Sequence, residues 1–205
     1  MALKSRTLPK DIQIVVSGTP GSGKSTIAKY LAKSFSLQHF SAGDYARQLA
    51  RGRGVSLLEL SAQAQKSPLI DTEIDNFTRS LAKKKKVVID SRIGWHFLPK
   101  AISVLVTVDE KESAKRIFNQ HRATEKENVS FQKTLRNIKK RKASERLRYK
   151  KYYHLDIDDL CHYDIIIDTT GYTAPEMERI AKEAMLLFLN GRESSLLGSR
   201  SEALK

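Results

Sequence analysis

The sequence predicts an α/β fold, a three-layer arrangement with a parallel sheet covered by helices on both faces, and three observations carry that prediction. Four short runs are apolar and rich in β-branched residues rather than alternating, the mark of strands buried on both faces. Segments of helical spacing separate them. A glycine-rich turn joins the first strand to the first helix.

The first strand is IQIVVS, Ile12 to Ser17, which runs straight into glycines. Ser25 to Leu37 follows, with Ile27, Leu31 and Phe35 at four-residue steps, one apolar stripe of an amphipathic helix. HFSA is too short to assign. Asp44 to Arg51 and Ser56 to Gln65 have helical spacing on either side of the flexible RGRG, and Pro68 opens another helix that runs to Ala82. VVID at Val87 to Asp90, ISVLVTV at Ile102 to Val108 and YDIIID at Tyr163 to Asp168 are the remaining strands. Glu110 to Gln120, Ser130 to Lys151 and Pro175 to Leu189 supply the helices between and after them. Residues 190–205 are small, polar and aperiodic and read as a flexible tail, so residues 1–189 are expected to form a single domain.

Composition narrows the function. The chain has 205 residues, 40% of them hydrophobic and 29% charged, which fits a globular domain and excludes a disordered or fibrous one. No apolar run approaches a bilayer span and the first residues lack a secretory signal, so a cytoplasmic protein without membrane attachment is expected. The single cysteine, Cys161, excludes an internal disulfide and a multi-cysteine zinc site. A net charge of +14 directs attention to phosphates, nucleotides or nucleic acid. That charge is concentrated: residues 139–151 hold eight basic residues against Glu145 alone, and Lys83 to Lys86 hold four more. A spread-out nucleic-acid face is therefore not required.

GTPGSGKS, Gly18 to Ser25, fits GxxxxGK[ST] between a predicted strand and a predicted helix, the context of a phosphate-binding P-loop. Gly18, Pro20, Gly21, Ser22, Gly23, Lys24, Ser25 and Thr26 are the expected ATP-binding set. Lys24 should reach the β and γ phosphates, and the Ser25 hydroxyl should coordinate Mg2+. In SAGDYAR, Ser41 can cap a helix whose third residue is Asp44, while Arg47, one turn beyond Asp44, could reach a second phosphate. Asp90 and Arg92 stand just past the carboxyl end of a strand, where open α/β sheets bind ligands, and Asp90 is the candidate second magnesium group, through water. Trp95 reads as packing.

Arg141 and Arg148 lie seven residues apart with Glu145 between them on one helical face. Their planar forks suit a transferring phosphoryl group that Glu145 holds them ready for, whereas the neighbouring lysines read as a solvated basic helix. Arg116 and Arg122 could contribute from the preceding helix. Lys24, Arg116, Arg141 and Arg148 are thus the catalytic candidates. LDIDDL lacks the calcium-loop glycine and glutamate and reads as a turn or cap, and the five histidines show no metal spacing.

In order, GTPGSGKST, SAGDYAR, IDSRIGW, the Arg141 to Arg148 face and YKKYYHLDIDDLCHYDIIIDT resemble the nucleoside monophosphate kinases, and among them the short, archaeal-type cytidylate kinase family, from about Ile12 to Leu186. The resemblance implies a P-loop core, a monophosphate-binding region at about 41–85 and an arginine-bearing lid at about 122–153. It implies Mg2+-assisted phosphorylation of CMP, and of dCMP, by ATP in a monomer. Arg47 and Arg92 match positions that engage the monophosphate, Ser41 one near the base, and Arg141 and Arg148 the lid arginines; with Asp44, the first three complete the expected substrate-binding set. Where family members show EGRLAG this chain has DSRIGW, and Lys142 replaces a common acidic residue. The competing readings are a kinase for AMP or UMP on the same scaffold and a basic P-loop protein that binds RNA. A GTPase would need an NKxD guanine reader, which the chain lacks.

Overall fold

The computed structural model describes residues 10–120 and 127–191. Five parallel strands form one sheet in the order β2-β3-β1-β4-β5: β1 Gln13–Gly18, β2 Gln38–Ser41, β3 Val87–Asp90, β4 Ile102–Thr107 and β5 Ile165–Asp168. The four strands read from sequence are present, and QHFS adds a fifth at the edge beside β3. The eight helices among the described residues are α1 Lys24–Ser34, α2 Ala42–Gly52, α3 Leu57–Lys66, α4 Leu69–Ser80, α5 Gly94–Phe97, α6 Glu110–Gln120, α7 Phe131–Tyr153 and α8 Ala174–Leu189.

Period-two alternation splits the strands between two cores. Ile14 and Val16 pack with Val88, Val104, Val106 and Ile167 against Ile27 and Leu31 of α1 and Met177 and Met185 of α8. Val15, Val87 and Ile89 face the other way, onto Leu81, Leu98 and the rings of Phe40, Phe77 and Trp95. Each fully buried aliphatic side chain contributes roughly 1.5–3 kcal/mol, so the sheet is the rigid part of the molecule. α2, α3 and α4 have a small core of their own, built from Ala50, Leu57, Leu60, Ala64 and Ile70. α6 and α7 join through Ala114, Ile117 and Ile138.

Local chemistry sets the helix boundaries. Ser41 caps α2 by accepting from the Asp44 N-H. Ser56 and Glu59 form a reciprocal capping box on α3, and at the start of α8 the Glu176 carboxylate accepts from both the N-H and the hydroxyl of Thr173. α7 starts at a Ser130 cap and stops where His154 turns left-handed, φ +57°. Asp159 caps a short 3-10 turn by accepting from the Cys161 N-H, as LDIDDL suggested. No helix among the described residues is long and apolar enough to cross a membrane. Of the expected tail at 190–205, residues 192–205 lie outside the described residues, as does Arg122.

Candidate active site

The turn between β1 and α1 is pressed against its neighbours. A Cβ on Gly18 would stand 2.3 Å from the Val106 carbonyl oxygen of β4, at a backbone φ of +155°, so only glycine fits there. Side chains distant in sequence hold the loop's carbonyls: Ser113 Oγ donates to Pro20 O at 2.7 Å, Thr169 Oγ1 to Ser22 O at 2.8 Å and Arg116 Nη1 to Gly21 O at 3.5 Å. With those acceptors satisfied, the loop's N-H groups other than that of Ser22, which donates to Thr19 O at 3.2 Å, and the N-terminus of α1 are left to serve an anion. The buried Thr19 hydroxyl, which also lines this groove, has no partner among the described residues.

Strand register delivers the acidic partner. Asp90 pairs with Val16 across β1 and with Ser41 across β2, so the ends of three strands converge on one carboxylate. Lys24 Nζ lies 2.7 Å from Asp90 Oδ1, Ser25 Oγ donates to Oδ2 at 2.5 Å, and Ser41 Oγ is 3.5 Å from the same oxygen. Asp90 is fully buried; burial alone would raise its pKa, but Lys24 and the Ser25 hydroxyl outweigh burial and hold it below the ordinary carboxylate value. Burial lowers Lys24, opposed by Asp90 and reinforced by the nearby Arg92 and Arg141. The Ser25 hydroxyl and the Asp90 carboxylate are hard oxygen donors placed together, a set that fits Mg2+.

A second carboxylate organises the arginines. Glu145, on α7, takes Arg92 Nη2 at 2.7 Å on one oxygen and Arg141 Nε at 3.1 Å on the other. Arg47 pairs with Asp44 at 2.6 Å. Arg116 is held in place by Glu112 at 3.1 Å, Thr169 O at 2.8 Å and Tyr172 O at 3.2 Å. Those contacts bind it to the loop after β5, beside the P-loop.

Arg148 departs from the sequence expectation. Two helical turns place it about 10 Å along α7 from Arg141. There its Nε meets Asp71 Oδ2 at 2.7 Å, and its Nη1 reaches Ser61 Oγ at 3.0 Å and Ser144 Oγ at 2.6 Å. It shares a helix face with Arg141 but not a partner. These bonds, with Tyr153 donating to Asp75, pack the second half of the expected lid onto α3 and α4.

Two cavities meet at this centre. A groove of about 590 Å³ is lined by the P-loop, Arg47, Arg116, Tyr172 and Met177. A narrower pocket of about 100 Å³ runs between α2, α3, α4 and α7, with Leu57, Leu60 and Ile74 among its apolar walls and Asp71, Asp75 and Arg148 among its polar ones. Lys24, Arg92 and Arg141 line both. Trp95 packs as expected, stacked on His162 at 4.0 Å and donating to the Tyr163 hydroxyl. Sequence reading missed Asp71, Asp75, Ser113 and Thr169, whose partners are all distant in the chain.

A parallel sheet, a glycine-rich loop feeding a helix, and a lysine and arginines between two cavities define a P-loop kinase. Solved structures agree on the fold: shikimate kinase from Acinetobacter baumannii superposes with a TM-score of 0.57 over 88% of this chain and 94% of that one at 13% identity. Shikimate kinase from Bacteroides thetaiotaomicron gives 0.60 over 85% and 98% at 12% identity. The model of the cytidylate kinase-like family matches residues 13–171, and the chain belongs to that family. It is 35% identical over 178 residues to the cytidylate kinase of Methanosarcina barkeri, covering 85% of this chain and 96% of that one. With the cytidylate kinase of Aeropyrum pernix the identity is 37% over 169 residues, with coverage of 82% and 96%.

Proposed function

We propose that this enzyme transfers the γ-phosphoryl group of ATP to CMP, and also to dCMP, giving ADP and the cytidine diphosphate. The observation that carries the reading is that Lys24, Arg92 and Arg141 line both cavities at once. A donor phosphate in the P-loop groove and an acceptor phosphate in the narrower pocket would share these three cations. Phosphoryl transfer needs that arrangement, because its charge builds on oxygens lying between donor and acceptor.

Each residue has a defined task in this reading. The P-loop amides and Lys24 hold the β and γ phosphates, and Arg116 fixes the walls of the ATP groove. Arg92 orients the acceptor phosphate together with Arg47, which lines the donor groove but whose guanidinium stands beside Gly43 of the narrower pocket, and Arg141 spans donor and acceptor. Glu145 keeps Arg92 and Arg141 aligned until phosphate oxygens engage their remaining N-H groups. Ser25 and Asp90 would hold Mg2+, which when bound neutralises charge on the phosphate oxygens. Both compartments are built from one chain, which supports action as a monomer; the proposed reaction is that of a cytoplasmic enzyme and calls for no nucleic acid.

An ATP-coupled assay over CMP, dCMP, UMP and AMP tests the proposal. CMP should give the highest kcat/KM; equal or faster turnover of AMP or UMP overturns it. Arg47→Ala should raise the KM for CMP by about tenfold and leave that for ATP unchanged. RNA binding that falls steeply with salt, without monophosphate turnover, would favour the nucleic-acid alternative.

A further inference from the structure

Asp75 is a buried carboxylate without a cation. It lies on α4 at 6% exposure and lines the narrower pocket. The Tyr153 hydroxyl donates to its Oδ2, and its Oδ1 has no partner among the described residues. Asp71, one turn earlier on the same helix, is equally buried but is paired with Arg148. Of two acids in one pocket, one is neutralised and the other is not. Burial, with Asp71 adding to it against the Tyr153 hydrogen bond, pushes the Asp75 pKa up to about 6. An uncompensated buried carboxylate is destabilising by several kcal/mol, and such a group needs an explanation outside the apo contacts.

The pocket supplies one. Its phosphate end is marked by Lys24, Arg92 and Arg141, and α7 sets the distance to the other end, where Arg148 stands about 10 Å further along the helix. A nucleotide with its phosphate at the first end brings its base to the second. Leu57, Leu60, Ile70 and Ile74 provide apolar wall for a flat ring. At that end the unbonded groups are the Oδ1 acceptors of Asp71 and Asp75 and the Nη2 donor of Arg148, none of which has a partner among the described residues. Cytosine presents the complement: an amino group at C4 that donates, and N3 and O2 that accept.

Resting on the CMP reading above, we infer that Asp75 is a specificity-determining residue that accepts a hydrogen bond from the 4-amino group of the acceptor base. Arg148, oriented by Asp71, donates to N3 or O2 on the same edge. Uracil turns a carbonyl oxygen toward Asp75 where cytosine turns an N-H, so UMP meets lone-pair repulsion and leaves the carboxylate unsatisfied. Adenine carries a comparable amino group, so exclusion of AMP falls to the size of the pocket and not to Asp75.

The test pairs a substrate change with a residue change. The nucleotide of pyrimidin-2-one is CMP with hydrogen in place of the 4-amino group. Wild-type enzyme should use it at least about a hundredfold less efficiently than CMP, by kcat/KM. Asp75→Asn should lower CMP turnover by a similar factor yet change turnover of the analogue by less than about threefold, because the interaction is already absent there. Equal losses on both substrates, or wild-type turnover of the analogue matching CMP, overturns the inference. If Asp75→Asn fails to fold, the wild-type comparison of the two substrates decides alone. A wild-type enzyme that prefers UMP or AMP to CMP overturns the underlying reading too, and shows this before any variant is made.

Discussion

Arg92, at the carboxyl end of β3, lies 2.7 Å from the carboxylate of Glu145 in the middle of α7, and both side chains are largely buried. The same carboxylate also holds Arg141. Burial would raise the Glu145 pKa, but Arg92, Arg141 and Arg148 outweigh it and hold it below the ordinary value, so the group is ionised at neutral pH.

Glu145→Gln removes that charge and leaves two guanidiniums uncompensated, and should lower the unfolding free energy in urea by about 3 kcal/mol. Because the folded-state pKa is depressed, the stabilisation is complete above the unfolded carboxylate pKa and is lost as pH falls through the lower folded value. The difference between wild type and variant should therefore hold from neutral pH down to about pH 5 and shrink below that. A bisubstrate analogue should narrow it, since phosphates replace the missing anion. A difference unchanged by saturating analogue would argue that Glu145 is purely structural.

Lys24→Ala should reduce kcat by about 10²- to 10³-fold, the usual loss for one preorganised charge at a transition state. It should also lower stability by about 3–5 kcal/mol, because Asp90 is left buried without its cation. Adding Asp90→Asn should restore much of the stability and none of the activity. Retention of near wild-type turnover by the single variant would dismiss the P-loop lysine from the chemistry.

Asp75 gives the opposite pH signature to Glu145. Its folded pKa is raised to about 6, so the native state binds the proton more tightly than the unfolded chain does. Its contribution is favourable below the unfolded pKa and is lost as pH rises through about 6. Relative to Asp75→Asn, wild type should lose on the order of 3 kcal/mol between pH 4 and 7 in the absence of nucleotide. Parallel stability curves for the two proteins would mean that the carboxylate is well solvated.

Arg116→Ala removes one of the P-loop's two ties to the loop after β5, leaving the Thr169–Ser22 bond, and should raise the KM for ATP by about tenfold with little change in that for CMP. Initial-rate kinetics with each substrate varied in turn will separate the two. A selective rise in the KM for CMP would place this residue in the wrong compartment.

The contrast between Arg141 and Arg148 shows where sequence reading stops. Seven-residue spacing establishes a common helix face, and both arginines do share one. Two turns also carry the second residue about 10 Å along the axis, and only the packing of α3 and α4 against α7 reveals that it meets Asp71 there. LIDTEIDNF carries only the helical spacing of the segment that Pro68 opens, so Asp71 and Asp75 give no signal until α7 is laid over them. HFSA is too short to assign alone; the place of β2 is fixed by four register pairs with β3. The P-loop, the buried strands and Asp90 were legible because each depends on neighbours in sequence and on a strand end that the fold class itself defines.

α7 is one uninterrupted 23-residue helix, a rod of about 35 Å that lines the P-loop groove through Arg141 and the narrower pocket through Arg148. Whatever either nucleotide does to the tilt of that rod is felt by the other. Thermodynamic reciprocity then fixes the outcome: the factor by which bound ATP changes the affinity for CMP must equal the factor by which bound CMP changes the affinity for ATP. Titrating each nucleotide in the presence of a non-reacting analogue of the other measures one coupling constant twice, and a helix cut at its middle by a Gly-Gly insertion should drive that constant toward unity.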